Sequence, residues 1–149
     1  MMLFDDLANA GSAPVLERML RFAGARQRLL AHDIANIDTP MFTPLDVSPR
    51  GFQQSLAAAV AKRRESGHSE AGELHVEETA EVAVGGSDGS QITLKPRTPS
   101  GNIMYHDRNN RDLERLMQSV AENQLMFKTA SDLLKRQHDL LRTAISQRV

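Results

Sequence analysis

The C-terminal region carries the feature that most restricts the fold, a heptad pattern that continues for about thirty residues. The positions spaced by seven are Leu113, Val120, Phe127, Leu134 and Leu141, and the intermediate positions are Met117, Gln124, Ser131, His138 and Ile145. This pattern predicts one helix from Asn110 to about Gln147, roughly 55 Å long at 1.5 Å per residue. A helix of that length exceeds an ordinary globular helix, so it needs a partner.

The same helix contains a second register that is nearly as good for packing. Its members are Leu116, Asn123, Ala130, Gln137 and Ala144. The buried face of the helix is therefore predicted to be broad. Asn109 or Asn110 is predicted to cap the helix, with Asp112 near the positive end of its dipole.

An N-terminal helix is the predicted partner. It is expected to start at Ser12, a good N-cap, and to end near Asn36, just before the breaker Asp38-Thr39-Pro40. Its seam follows alternating steps of four and three through Leu16, Leu20, Ala23, Gln27, Leu30, Ile34 and Ile37. The seam is broken once, by Gln27, and suits a helix packed along another helix.

The middle of the chain differs from both ends because it holds five of the six prolines and an acidic stretch without Lys or Arg over 70–88. A short amphipathic helix is predicted from Phe52 to about Arg64. Its apolar side consists of Phe52, Leu56, Ala59 and Val60. The glycine-rich turn 85–90 separates residues 74–84 from residues 91–95, which predicts a small β-hairpin.

Together these patterns predict a mainly α fold in which two long terminal helices form an antiparallel coiled-coil hairpin. Aromatic residues make up only 4% of the chain, which favours helix packing over a β-sandwich. The predicted parts of this single structural unit are an N-terminal coiled-coil helix over 1–38, a flexible insertion over 39–108 and a C-terminal coiled-coil helix over 109–149. The insertion is expected to be poorly ordered apart from its short helix and hairpin.

Charge and composition exclude several classes of protein. With 18 Lys and Arg against 19 Asp and Glu, the chain lacks the basic excess of a nucleic-acid-binding protein. The absence of cysteine excludes disulfides and Cys-based metal sites. No apolar run approaches the roughly 18 residues of a membrane span, and no cleavable signal peptide is expected.

Three adjacent His-Asp pairs are the main candidates for catalytic chemistry, and His68 and His75 in the middle of the chain are a weaker candidate for a metal site. The pairs are His32-Asp33, His106-Asp107 and His138-Asp139. Metal-dependent phosphohydrolases use such pairs, but neighbouring helical side chains point about 100° apart, so the first and third pairs cannot each offer both side chains to one metal. The favoured interpretation is a protein without catalytic, cofactor-binding or metal-ligating residues, and a metal-dependent hydrolase stays a minor alternative.

Two segments at opposite ends of the chain resemble signatures of bacterial flagellar rod and hook proteins. Residues 30–42, LAHDIANIDTPMF, resemble the N-I-A-N-x-x-T-P-G-Y signature, and residues 109–117, NNRDLERLM, resemble G-N-N-V-D-L-x-x-E-M. Residues 121–127, AENQLMF, are similar to A-E-N-Q-L-x-Y. The residues that carry the family motif are Asn36, Thr39, Pro40, Phe42, Asn109, Asn110, Asp112 and Leu113.

The chain also departs from these signatures. Met41 stands where the family has Gly, Phe42 replaces Tyr, and Asp33 replaces Asn. Loss of the glycine removes the easy positive-φ turn after Pro40, so the loop is expected to differ from that of the family.

The resemblance implies a structural component of the flagellar basal-body rod, most similar to the proximal rod type. The terminal helices are then expected to assemble into the helical axial shaft, with seam residues Leu20, Leu30, Ile34, Val120, Phe127, Leu134 and Leu141. Implied partners are further copies of the chain, other rod proteins, the inner-membrane ring or its adaptor, and the flagellar export apparatus. An export-related helical adaptor or chaperone is the alternative.

The resemblance also implies a route and a location. The family leaves the cytoplasm by flagellar type III export, without a cleavable signal peptide, and lies in the rod that spans the periplasm. Phe52 and Leu56 are similar to the short Phe-x-x-x-hydrophobic export signal of early substrates. The simpler interpretation of both residues is the apolar side of a short helix.

Overall fold

The computed structural model describes residues 11–65, 74–86, 91–98 and 112–146, and 67% of them are helical. In chain order the elements are α1 (Ala13–Ala35), α2 (Pro49–Glu65), β1 (Val82–Gly85), β2 (Gln91–Leu94) and α3 (Leu113–Ser146). The prediction of a mainly α fold is confirmed. Within the described part of the chain, no helix combines the length and the apolar character needed to cross a membrane.

Helix α1 begins and ends where its flanking residues predict. Ser12 precedes the first helical residue, Pro14 lies in the opening turn, and Asn36 follows the last helical residue. The Ser12 hydroxyl does not cap its own helix; it donates to Oε1 of Gln137 on α3, at 3.0 Å. Ser12 therefore joins the two long helices rather than closing the first one.

Helix α3 is capped by Asp112, which directly precedes its first residue, rather than by the predicted Asn109 or Asn110. Oδ1 of Asp112 accepts a hydrogen bond from the backbone N–H of Arg115, at 3.0 Å. This bond satisfies one of the amide donors that every helix N-terminus leaves without an internal partner. The predicted caps, Asn109 and Asn110, lie outside the described residues.

The two long helices pack against each other. Residues further along α1 contact residues earlier in α3. At one end Ser12 bonds to Gln137, and further along Asn123 bonds to the backbone of Ala23. Helices α1 and α3 are therefore antiparallel neighbours. The supercoil and the interdigitated side chains of a true coiled coil stay a prediction.

The described parts of the middle form a folded layer on α1. The Phe22 ring of α1 stacks on the Phe52 ring of α2, with centroids 4.1 Å apart and planes 2° apart. The buried cluster around this pair consists of Phe22, Val47, Phe52, Leu56, Ala59, Leu74, Val76 and Val82. Full burial of a large apolar side chain contributes about 1.5–3 kcal/mol, so this cluster is a main source of stability.

The predicted short helix and hairpin are both present. Helix α2 begins after Ser48, whose hydroxyl accepts a hydrogen bond from the backbone of Gly51, at 3.1 Å. Strands β1 and β2 pair in antiparallel fashion with Val82 opposite Leu94 and Gly85 opposite Gln91. The hairpin packs on α1 through β2. The turn residues 87–90 lie outside the described part of the chain.

Candidate assembly surface

Within the described part of the chain, helix α3 carries most of the exposed large apolar side chains. Among the described residues, nine large hydrophobic side chains are exposed, and seven of them lie on α3. These seven are Leu113, Met117, Leu125, Phe127, Leu133, Leu140 and Ile145. An apolar surface concentrated on one long helix is typical of a contact with another protein.

The face that α3 turns to α1 is the less apolar of its two registers. Leu116, Asn123 and Ala130 are the residues of α3 that are buried, with exposures of 8%, 1% and 0%. Leu113 and Phe127, from the register that sequence favours, are 47% and 46% exposed. The stronger heptad register, which contains Leu113 and Phe127, is therefore not the one that packs most closely on α1; the register of Leu116, Asn123 and Ala130 is. Small side chains at the contact let the two helix backbones approach closely.

The seven predicted seam residues do not lie on one common surface. Leu30 is buried and Phe127 is exposed. The other five are half-buried: Leu20, Ile34, Val120, Leu134 and Leu141. The half-buried and exposed members retain apolar area that another chain could cover. Their role in assembly stays a prediction.

The motif residues after α1 form a compact turn. The side-chain amide of Asn36 donates to the carbonyl oxygen of His32, at 2.8 Å, and closes the last helical turn. The backbone N–H of Thr39 donates to the carbonyl of Asn36, at 2.9 Å, and that of Phe42 donates to Thr39, at 3.2 Å. The Phe42 ring then lies 5.7 Å from the His32 ring, centroid to centroid. The aromatic residue of the motif therefore contacts the helix that it follows.

Met41 keeps the backbone conformation that glycine adopts easily. Its φ is +62°, the only positive value for a non-glycine residue in the described part of the chain, and its side chain is 71% exposed. The expectation that the loop loses this positive-φ turn is wrong. A side chain with a Cβ costs about 1–2 kcal/mol in this conformation, because the Cβ crowds the following carbonyl oxygen.

An ion pair holds the segment after this turn against α1. The guanidinium of Arg26, which is 2% exposed, donates from Nε to Oδ1 of Asp46 at 2.8 Å and from Nη2 to Oδ2 at 2.6 Å. Asp46 and Arg97 also exchange two backbone hydrogen bonds, which ties this segment to the chain after β2. Arg26 thus organises the junction of three elements, since a bidentate pair fixes orientation as well as distance.

Asp33 is buried next to this junction. One carboxylate oxygen accepts a hydrogen bond from the backbone N–H of Leu45, at 3.2 Å. Burial raises the pKa of the Asp33 carboxyl above its ordinary value, while the Leu45 bond and nearby His32 act in the opposite direction. Asp33 therefore has a structural role, because its carboxylate binds the backbone of Leu45 in the segment that follows α1.

The two motif-bearing ends of the chain lie around one cleft of about 680 Å³. Ile37, from the turn after α1, and Asp112, the cap of α3, both line it. Its charged lining consists of Arg26, Arg97, Arg115, Asp33, Asp46, Glu81, Asp112 and Glu122. Among the described motif residues, Asp112 lines this cleft, whereas Asn36, Thr39, Pro40, Phe42 and Leu113 do not; Asn109 and Asn110 lie outside the described residues.

The His-Asp pairs do not form a site within the described residues. His32 Nδ1 lies 3.7 Å from Asp33 Oδ1, but the His32 side chain is 66% exposed and that of Asp33 is buried. His138 and Asp139 are both exposed on α3, and His106-Asp107 lies outside the described residues. No group of three or more His, Asp or Glu in the described ranges is arranged to hold a metal ion.

The candidate export signal belongs to the core of the folded chain. Phe52 and Leu56 are both buried, and Phe52 makes the ring stack with Phe22. The interpretation of these residues as the apolar side of a short helix is confirmed. A role in export stays a prediction, and it requires that α2 be detached from α1 when the signal is bound.

Sequence reasoning missed the three polar residues that organise these contacts. Arg26 and Asp46 lie twenty residues apart, and no pattern in the sequence pairs them. Asn123 gave a weak signal, since it is the polar member of a register that otherwise holds Leu116 and Ala130 near the middle of the helix. A single polar residue in a helix seam often fixes how two helices pair.

Comparisons with models of known protein families and with curated proteins found no match for this chain.

Proposed function

We propose that this protein is a structural, non-enzymatic component of the bacterial flagellar basal-body rod, of the FlgB or proximal rod type. Its terminal helices assemble as a coiled coil with those of neighbouring subunits into the helical shaft. It leaves the cytoplasm through the flagellar export apparatus and contacts other rod proteins and the inner-membrane ring or its adaptor.

The observation that carries the proposal is the exposed apolar register of α3. Leu113, Met117 and Phe127 remain accessible after α1 has packed on the other register. A helix that packs on one partner and leaves a second apolar face exposed is suited to contacts between chains. Repeated contacts between different faces of identical subunits produce an open helical assembly, as a rod requires, when they do not close into a ring.

The two motif segments add support from their position. Ile37, in the turn after α1, and Asp112, at the start of α3, line the same cleft, which supports a shared role for the two signature segments. Met41 maintains the positive φ at the position of the family glycine. Glycine adopts a positive φ easily, so this conformation of Met41 is compatible with the resemblance.

The test is deletion of the gene, followed by motility assays and electron microscopy of purified basal bodies. We expect a non-motile strain whose basal bodies end at the inner-membrane ring, with both properties restored by a plasmid copy of the gene. Normal flagella in the deletion strain would contradict the proposal. A purified protein that forms a stable stoichiometric complex with an export substrate, and does not polymerise, would favour the adaptor alternative.

A further inference from the structure

Helix α3 presents two registers to α1, and the fold uses the one that offers less apolar surface. Positions three apart on a helix lie about 60° apart around its axis. A rotation of α3 by that angle would replace Asn123 and Ala130 at the contact by Val120 and Phe127. Burial of apolar area alone favours the rotated arrangement. Some other contact must therefore select the observed one.

Asn123 joins α3 to α1 through two hydrogen bonds. It is 1% exposed, and its side-chain amide donates to the carbonyl oxygen of Ala23 and to Oε1 of Gln27, both at 2.9 Å. The carbonyl of Ala23 is a main-chain acceptor, so a short side chain can reach it only where the backbones are close. Ala23 and Ala130 are fully buried and small, which permits that approach.

The second acceptor explains why one face is preferred. Gln27 interrupts the seam of α1 and is half-buried, so its amide gains from a polar partner on α3, because a polar group taken from water without a hydrogen bond is unfavourable. Gln124 lies at nearly the same level in the competing register and is exposed. A glutamine there can satisfy Gln27, but the bulky Val120 and Phe127 beside it would hold the backbones too far apart for a bond to the Ala23 carbonyl.

Asn123 is also a poor choice for stability alone. Its Oδ1 is buried and accepts no hydrogen bond from any described residue. An unsatisfied buried oxygen destabilises a fold, whereas leucine has the same branching and no polar atoms. Polar residues at such positions are best explained by specificity of helix pairing.

We propose that Asn123, through Ala23 and Gln27, selects which face of α3 packs on α1 and thereby keeps the Phe127 face on the surface. The selection acts within one chain, so it holds whether or not the protein is a rod subunit. Asn123 is a specificity-determining residue rather than a source of stability.

The test uses the natural absence of cysteine from the chain. Single cysteines are placed at Ala130, which is buried, and at Ser131, which is exposed, and the rate of thiol labelling is measured in the full-length protein. In the parent background we expect the cysteine at 130 to react at least about tenfold more slowly than the one at 131, since labelling there requires local opening. Asn123→Leu removes both hydrogen bonds to α1 and leaves two registers of similar apolar area, so we expect the labelling rates at positions 130 and 131 to move closer together.

Two further variants separate selection from other effects. Asn123→Ala removes the amide without adding bulk, and we expect it to equalise or reverse the two rates. Gln124→Leu makes the competing register more apolar while leaving Asn123 intact, and we expect the parent pattern to persist. Unchanged labelling in both Asn123 variants would overturn the proposal. Faster labelling at both positions with loss of helicity would also overturn it, because Asn123 would then be an ordinary stabilising contact.

Discussion

Helix α1 packs on two sides, and the two contacts are built from different kinds of residue. On one side Phe22 stacks on Phe52 within a cluster of large apolar side chains from α2 and the hairpin region. On the other side Ala23 contacts α3, whose buried residues include Asn123 and Ala130. The first contact is large and apolar, while the second is small and partly polar.

This difference separates stability from recognition in one small protein. The aromatic side of α1 buries the surface that makes the chain fold, and the middle of the sequence supplies most of it. The α3 side is specific but leaves large apolar residues such as Phe127 accessible. Substitutions on the two sides should therefore have different consequences.

The largest effect on stability is expected from Phe52→Ala. Removing a buried aromatic side chain leaves a cavity and should lower the free energy of unfolding by about 3–5 kcal/mol. The matched control is Phe127→Ala, on the half-exposed face of α3, which should cost under about 1 kcal/mol. Urea denaturation followed by circular dichroism measures both. Equal losses would contradict both the stabilising role given to the Phe52 side of α1 and the exposed position given to Phe127.

Asp46→Asn should produce the next largest loss, because it leaves the buried Arg26 guanidinium without its carboxylate. Breaking a fully buried pair costs 3–5 kcal/mol, and since the Asp46 side chain is 23% exposed we expect about 2 kcal/mol. Glu17→Gln is the control, because its pair with Arg21 is exposed and 3.9 Å long, and it should change stability by under about 0.5 kcal/mol. Similar small effects of both variants would contradict the role given to Arg26.

Met41→Gly should stabilise the protein. Glycine adopts the positive φ of this residue without strain, and the exposed Met41 side chain contributes little packing, so a gain of about 1 kcal/mol is expected despite the greater entropy of the unfolded glycine. Met41→Ala retains a Cβ and should leave stability nearly unchanged. A gain from alanine as large as that from glycine would mean that side-chain exposure, rather than backbone strain, is the cause.

The smallest effect is expected from Asp33→Asn, and it should depend on pH. Because burial raises the pKa of the Asp33 carboxyl, the folded state binds this proton more tightly than the unfolded state does. Asp33 therefore costs stability progressively as pH rises above the ordinary carboxyl value of 3.8. The variant should match the parent near pH 3 and be more stable near pH 7, with Asp38→Asn, an exposed site, as control. A variant that gains stability instead as pH falls would contradict the assignment.

Local signals in the sequence were sufficient for the elements themselves. Ser12 and the Thr39-Pro40 breaker located α1, the period of Phe52 and Leu56 located α2, and the glycine-rich turn predicted the hairpin. These features act through neighbouring residues, so they can be recognised without knowledge of tertiary contacts.

Three features of the fold depend on tertiary contacts and could not be predicted from local sequence patterns. The two registers of α3 have similar patterns, and the choice between them depends on a carbonyl of Ala23 that is distant in sequence. Periodicity likewise shows that Phe52 and Leu56 share a face but not that this face packs on Phe22. The positive φ of Met41 opposed the intrinsic preference of its residue type.

The measurement that tests the central claim most directly is complementation of the deletion strain with Phe127→Asp. We predict that the free energy of unfolding of the purified variant lies within about 1 kcal/mol of that of the parent, because the Phe127 side chain is half-exposed. The strain that carries the variant should nevertheless build no rod. Gln124→Glu, on the same face of α3 without an apolar side chain to lose, should restore motility. Normal basal bodies with Phe127→Asp would contradict the claim that this face of α3 serves assembly.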